Sequence, residues 1–183
     1  MTEAEYEILP GLRGHGPLPE QFSATGRGTH SEGLVVEFFP VGGDSWVGNL
    51  QGGFGKCHGV FHHPDGNHFV VVAQGQAYVV NPQTRELVEE FGADLEQAIE
   101  VPDLSILVLT DGTYFEALGR GDGDSWRSER VSWDGIRSLS RVGPSLEGEA
   151  FSPIDDSWQR FSLDLRTGKH SGGSWDGTQF HAI

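Results

Sequence analysis

The sequence predicts an all-β protein made of antiparallel hairpin repeats, in about four degenerate copies and with at most one short helix. The 27 glycines and nine prolines among 183 residues exceed what a helical bundle tolerates. Runs of β-branched residues bounded by turn residues, such as FVVVA at 69–73, are typical of buried strands. One pattern also recurs: an apolar segment ends in proline, a turn follows, and a strand begins. The four copies lie around Pro40, Pro64, Pro102 and Pro153.

The repeat is irregular. Its prolines are 24, 38 and 51 residues apart, so the copies differ in loop length and do not form a strict array. Two copies also carry a second tight turn, NPQTRE at 81–86 and DLRTGK at 164–169. The length fits one domain, so residues 1–183 are predicted to form a single all-β unit.

Individual elements follow from local chemistry. The Gly- and Pro-rich segment 1–33 is predicted to be irregular, although it could cover a sheet edge. FVVVA, QAYVV and LVEEF predict three successive antiparallel strands between residues 69 and 91. ADLEQAIE at 93–100 is the one helix candidate, with Asp94 able to cap it and Pro102 ending it.

The repeated motifs resemble the blades of β-propellers of the WD40-like or NHL-like type. In those families an apolar residue, Pro-Asp-Gly and a β-branched run mark one hairpin, and Asp followed by Thr-Gly marks the next. The matching residues are best at 58–91 and 148–170. The resemblance implies a small propeller-like arrangement or a set of curled, packed sheets, with room for four blades at most. The segment 22–53 is also similar to bacterial proteins with no assigned activity, and that similarity implies no catalytic residue.

Charge and cysteine content restrict the partners and the compartment. Twelve basic and 27 acidic residues give a formal net charge of −15, which repels nucleic-acid phosphates and anionic lipids. We therefore expect neither nucleic-acid binding nor membrane binding. A single cysteine, Cys57, excludes an intramolecular disulfide, and the acidic N-terminus does not look like a signal peptide. These features predict a cytoplasmic protein.

The acidic residues are unevenly placed. From Glu86 to Gly119 there are nine acidic residues and no Lys, Arg or His. One interpretation is a solvated surface that maintains solubility, and the other is a docking surface for a basic protein. The candidate partner-binding acids are Glu86, Glu89, Glu90, Asp94 and Glu96.

The five tryptophans all follow serine. Asp-Ser-Trp occurs at Trp46, Trp126 and Trp158, and Ser-Trp-Asp-Gly occurs at Trp133 and Trp175. These positions predict equivalent places in repeated hairpins, where an indole packs between neighbouring sheets. A partly exposed aromatic rim that binds a protein partner is the alternative, and for that function Trp46, Trp126 and Trp158 are the candidates.

The stretch VFHHPDGNHFVVV, at 60–72, concentrates histidines. With Cys57 and His58 it offers the nitrogen and sulfur donors that zinc prefers, and His58 and His62 could point to one face of a strand. A strand sends its remaining donors to the other face, so the cluster does not converge. The competing interpretation is a turn, in which Pro64 presets φ, Asp65 bonds to the backbone and Gly66 takes positive φ. We favour the turn and expect no cofactor.

No nucleophile elbow, zinc-protease motif or phosphate-binding fingerprint occurs in the chain. The leading hypothesis is therefore a non-enzymatic acidic protein-binding module, and its most specific form is an immunity or inhibitor protein that occludes a basic bacterial toxin. The first alternative is a metal-dependent hydrolase that uses the His58–His68 cluster through His58 and His62. The second is a structural or solute-binding β domain.

Overall fold

The computed structural model describes residues 4–24 and 31–177, and within them the regular structure is β-strand apart from two 3-10 turns, Pro102–Leu104 and Asp122–Asp124. The strands form four antiparallel sheets of four strands, apart from one parallel pair in the first sheet. The first sheet contains β1 (Glu5–Leu9), β2 (Glu20–Phe22), β3 (Leu34–Phe39) and β4 (Trp46–Leu50). The second contains β5 (Gly59–His62), β6 (Phe69–Ala73), β7 (Gln76–Val80) and β8 (Leu87–Phe91). The third contains β9 (Gln97–Val101), β10 (Ile106–Thr110), β11 (Phe115–Leu118) and β12 (Trp126–Arg127). The fourth contains β13 (Ile136–Val142), β14 (Ser145–Ser152), β15 (Ser157–Asp164) and β16 (His170–Gly172).

The second, third and fourth sheets are meanders in which each strand pairs with the next along the chain. The first sheet has the order β1-β3-β4-β2, with β2 running parallel to β4. Antiparallel neighbours need only short connections, which is why a chain rich in glycine and proline turns folds this way. The turn between β6 and β7 is an example: Gln74 and Gly75 both have positive φ, at 45° and 86°.

The sheets stack face to face in chain order, with an apolar core at each of the three contacts. Phe38 and Trp46 of the first sheet pack with Phe69 and Tyr78 of the second. The other face of the second sheet packs on the third, and the other face of the third packs on the fourth. A strand covered on both faces is apolar throughout, and this explains the unbroken FVVVA and ILVLT runs of β6 and β10.

One edge of each sheet lies beside the corresponding edge of the next. The Tyr6 hydroxyl of β1 donates to the carbonyl of Val60 in β5 at 3.1 Å. The backbone N–H of His62 in β5 donates to the Glu100 carboxylate of β9 at 3.0 Å, and the Gln97 amide of β9 donates to the carbonyl of Ile136 in β13 at 3.2 Å. We call this the inner edge, and it leaves β2, β8, β12 and β16 at the outer edge.

The prediction of repeated antiparallel sheets is confirmed. Each of the four repeat prolines lies in a turn of a different sheet, but the turns are not equivalent. Pro64 and Pro102 follow the first strand of their sheets, whereas Pro40 and Pro153 precede the strand that is third in the spatial order of their sheets. Closure into a ring is not shown, because within the described residues no core cluster combines side chains of the first and fourth sheets.

The helix prediction at 93–100 is wrong. Gln97–Val101 forms β9, which pairs antiparallel with β10 from Gln97 opposite Thr110 to Val101 opposite Ile106. An eight-residue helix is marginal by itself, and pairing with the apolar strand ILVLT supplies hydrogen bonds and burial that a short helix lacks. Asp94, the expected cap, is exposed in the preceding loop.

The segment 1–33 is irregular only in part, since its described residues contribute β1 and β2 to the first sheet. Strand β1 pairs with β3 over five residues, from Glu5 opposite Phe39 to Leu9 opposite Val35. The described residues also contain no helix with the length and apolar character that crossing a bilayer requires.

Candidate functional site

The histidine-rich stretch forms the turn between β5 and β6. Gly66 has φ 76°, and its N–H donates to the carbonyl of His63 at 3.0 Å. The Asp65 carboxylate accepts the N–H groups of Asn67 at 2.8 Å and His68 at 3.2 Å. These are the bonds that a Pro-Asp-Gly turn was expected to make, so the turn interpretation is confirmed.

The side chains of His63, Asp65 and His68 come close enough to share a cation. The Nδ1 atom of His68 lies 2.6 Å from Asp65 Oδ2, and that of His63 lies 3.1 Å from the same oxygen. Two imidazoles and one carboxylate are donors that transition metals accept. This set differs from the predicted pair, because neither His58 nor His62 belongs to it.

The His68 ring lies between Asn81 and Asp65. The Asn81 Oδ1 atom already accepts the N–H groups of Gln83 at 2.9 Å and Thr84 at 3.1 Å. Its amide nitrogen therefore faces His68 Nε2, at 3.4 Å. The other ring nitrogen, Nδ1, faces the Asp65 carboxylate, which can only accept, so Nδ1 carries a proton. That proton is donated to Asp65. A metal at Nδ1 would displace this hydrogen bond, and the arrangement therefore favours a structural role for the corner.

The same contacts shift the pKa of Asp65. Burial by itself raises the pKa of Asp65, but the Asn67 N–H, the His68 side chain and the nearby charges of His63 and His68 together outweigh it. The net result is a pKa of Asp65 below its ordinary value. The carboxylate is thus held in its charged form as the centre of the turn.

The two histidines named from the sequence have other contacts. His58 Nδ1 accepts the backbone N–H of Gln74 at 3.3 Å. His62 is exposed, and its ring lies beside Phe69 and Tyr6, at centroid distances of 5.2 Å and 6.3 Å. In the described part of the chain, neither joins a group of three possible metal ligands.

Cys57 is a packing residue in the core between the second and third sheets, where it is 6% exposed. Burial, with a smaller contribution from the Glu96 carboxylate, raises the pKa of the Cys57 thiol to about 11. The thiol therefore stays protonated near neutral pH, which does not suit a nucleophile.

Two of the Asp-Ser-Trp tryptophans pack between sheets, as predicted. Trp46 lies in the core between the first and second sheets, and its indole N–H donates to the Pro82 carbonyl at 2.8 Å. Trp126 packs on the core between the third and fourth sheets and donates to the Leu165 carbonyl at 3.0 Å. Trp158 differs: it lies on the outer face of the fourth sheet, with the Arg137 guanidinium 3.9 Å from its ring centroid.

The two Ser-Trp-Asp-Gly copies contact each other. The Ser174 hydroxyl donates to the carbonyl of Phe151 at 2.6 Å. The Ser132 hydroxyl donates to the carbonyl of Gly135 at 2.7 Å and lies 3.2 Å from the same Phe151 oxygen. The rings of Trp133 and Trp175 lie 4.2 Å apart. This arrangement ties residues 173–175 to the loop after β12, so these tryptophans have a structural role.

The acidic stretch divides into bonded and free carboxylates. Glu96 forms an ion pair with Lys56 at 2.6 Å, and Glu86 accepts the Thr84 hydroxyl at 2.9 Å. Three of the candidate acids are exposed and make no hydrogen bond or ion pair with the rest of the described chain; they are Glu89, Glu90 and Asp94.

Glu89 and Glu90 lie on β8, an exposed strand at the outer edge of the second sheet. One side of β8 pairs with β7, and within the described residues its other side pairs with no strand. The apolar residues beside the glutamates are also uncovered, with Leu87 38% and Val88 57% exposed. The pairing shifts register between Val79 and Val80, as at a β-bulge. The sequence showed the acids but not this bulged edge.

The net charge of the chain is concentrated before residue 120. Residues 1–119 carry four basic and 17 acidic side chains, a net of −13, whereas residues 120–183 carry eight and ten, a net of −2. The first two sheets and three of the four strands of the third thus carry most of the net negative charge. A field of this asymmetry orients a charged partner as it approaches.

Comparison with known proteins gives no assignment. No protein-family model matches the chain, and the search of curated proteins found no match. A solved structure described as the crystal structure of the eukaryotic initiation factor is similar over 93% of this chain and 43% of its own, with 12% sequence identity and a TM-score of 0.37. The chain thus spans less than half of that structure. A TM-score of this size supports no argument about fold or function.

Proposed function

We propose that this protein is a non-enzymatic protein-binding module that binds a basic protein through the acidic outer edge formed by β8. The observation that carries the proposal is the pair Glu89 and Glu90, which are exposed, adjacent and not neutralised by any cation in the described part of the chain. Next to them, Leu87 and Val88 present apolar surface. Apolar contact area beside unpaired charge is suited to a protein partner of opposite charge.

The rest of the molecule supports binding more than catalysis. The buried thiol of Cys57 is protonated, and His68 donates its Nδ1 proton within the turn. The stacked sheets, which we take to be a propeller-like or curled arrangement, act as a rigid scaffold for the exposed edge. An inhibitor of a basic toxin gains from this design, because charge complementarity accelerates association and disfavours wrong partners. We therefore propose a basic bacterial toxin, met in the cytoplasm, as the partner class.

The test is a comparison of three immobilised proteins in lysate of the source organism. They are the wild type, Glu89→Lys/Glu90→Lys, and the control Glu5→Lys/Glu7→Lys, which reverses two exposed glutamates of the edge strand β1. The proposal expects a basic protein that salt elutes from the wild type and the control but that the β8 variant does not capture. Capture by all three proteins, or by none, would contradict it. In the latter case the structural or solute-binding alternative gains support.

A further inference from the structure

The outer edge of β8 differs from the other outer edges in length. β8 has five residues, whereas β2, β12 and β16 have three, two and three. Short edge strands offer few backbone groups to an incoming strand. β8 is therefore the strand of the outer edge that can accept another strand over several hydrogen bonds.

The two glutamates of β8 flank this edge on opposite faces of the sheet. Glu89 pairs with Val79, whose side chain lies in the core towards the third sheet. Glu90 pairs with Tyr78, whose side chain lies in the core towards the first sheet. Cross-strand partners share a face, so one carboxylate stands on each side of the exposed backbone.

The position of these two carboxylates disfavours most strands that could pair with β8 and favours a basic one. A second copy of the chain that paired β8 with β8 would bring glutamates together, and like charges across a strand pair are unfavourable. Opposite charges reverse this preference. Because successive side chains of a strand alternate faces, two consecutive basic residues would meet Glu89 and Glu90 one on each face.

Building on the proposed function, we infer that the partner adds an extended segment to β8, and that the segment carries two consecutive Lys or Arg residues. Backbone hydrogen bonds would supply affinity, and the paired charges would supply selectivity. This inference goes beyond charge attraction, because it requires free backbone N–H groups on the partner as well as its positive charge.

The test uses synthetic peptides of alternating Thr and Val with two lysines, measured by fluorescence anisotropy against the full chain. One peptide has consecutive lysines, and a second has the lysines separated by one residue, so that both point to one face. Two further peptides repeat the first with every second amide N-methylated, one in each phase. All four carry the same charge, and N-methylation removes the backbone donor.

Strand addition predicts that the consecutive-lysine peptide binds best. One N-methylated phase should bind like the parent, because its remaining donors face β8, and the other should lose at least about tenfold in affinity. Equal binding by both phases, or no preference for consecutive lysines, would overturn the inference. If that happens while Glu89→Lys/Glu90→Lys still abolishes capture of the lysate partner, the proposed function stands and only the strand mode fails.

Discussion

The indole N–H of Trp46 donates to the Pro82 carbonyl across the contact between the first and second sheets, at 2.8 Å. Trp126 makes the same kind of bond to Leu165 across the contact between the third and fourth sheets, at 3.0 Å. Both carbonyls directly follow a residue, Asn81 or Asp164, whose side chain caps a tight turn. The tryptophan of an Asp-Ser-Trp motif in one sheet is thus hydrogen-bonded to a Thr-containing turn of the next sheet.

Replacing Trp46 or Trp126 by Phe should lower the free energy of unfolding by about 1–3 kcal/mol, because a buried carbonyl loses its donor and the core loses volume. Trp158→Phe is the matched control, since Trp158 lies on the outer face of the fourth sheet beside Arg137. We expect a smaller loss for it. Guanidinium unfolding curves of the three variants measure the effect, and equal losses would contradict the structural role of the first two indoles.

Asp65 should make stability depend on pH. Its pKa is lowered in the folded protein, so the stabilisation is present above the ordinary aspartate pKa, about 3.9, and is lost as the pH falls through the lower folded value. Asp65→Asn should therefore cost about 1 kcal/mol near neutral pH and less in acid. Urea unfolding of the wild type and of Asp65→Asn, at neutral pH and in acid, tests this. A cost of the substitution that grew on acidification would refute it.

The histidine corner should not depend on metal. Because the Nδ1 proton of His68 is donated to Asp65, Zn²⁺ must displace an existing hydrogen bond. Added Zn²⁺ should therefore leave the melting temperature of the wild type and of His62→Ala unchanged in scanning calorimetry. Stabilisation by stoichiometric Zn²⁺ that disappears in His63→Ala would show a metal site after all.

Removing both charges from β8 should expose its edge to self-pairing. Glu89→Val/Glu90→Val turns LVEEF into an uninterrupted apolar edge strand, the kind that pairs with other copies. Sedimentation velocity should show oligomers or aggregates of this variant. Glu5→Val/Glu7→Val on β1 is the control at the inner edge, and if both variants remain as dispersed as the wild type, the carboxylates do not protect β8.

The sequence was sufficient for elements with strong local chemistry. FVVVA, QAYVV and LVEEF became β6, β7 and β8, because β-branched runs and the Gln74-Gly75 turn favour one local structure. It was insufficient at 93–100, where pairing with the next strand, Ile106–Thr110, decided the outcome.

The candidate site shows the same limit. Nine acids were visible between residues 86 and 119, but the basic partners of two of them lie 40 and 38 residues away in the chain. Glu96 is neutralised by Lys56, and Asp103 by Arg141 through a bidentate pair at 2.6 Å. Only the folded arrangement separates these from Glu89 and Glu90, and only the strand order places the latter two at an uncovered edge.

The most direct test of the central claim is the association rate of the captured basic partner at low and high salt. The measurement compares the wild type with Glu89→Gln/Glu90→Gln and with the control Glu5→Gln/Glu7→Gln. If the β8 edge is the binding surface, the wild-type rate falls as salt rises, and the β8 variant associates about tenfold more slowly than the control at low salt. Equal rates for the two variants, or a wild-type rate independent of salt, would show that the partner binds elsewhere.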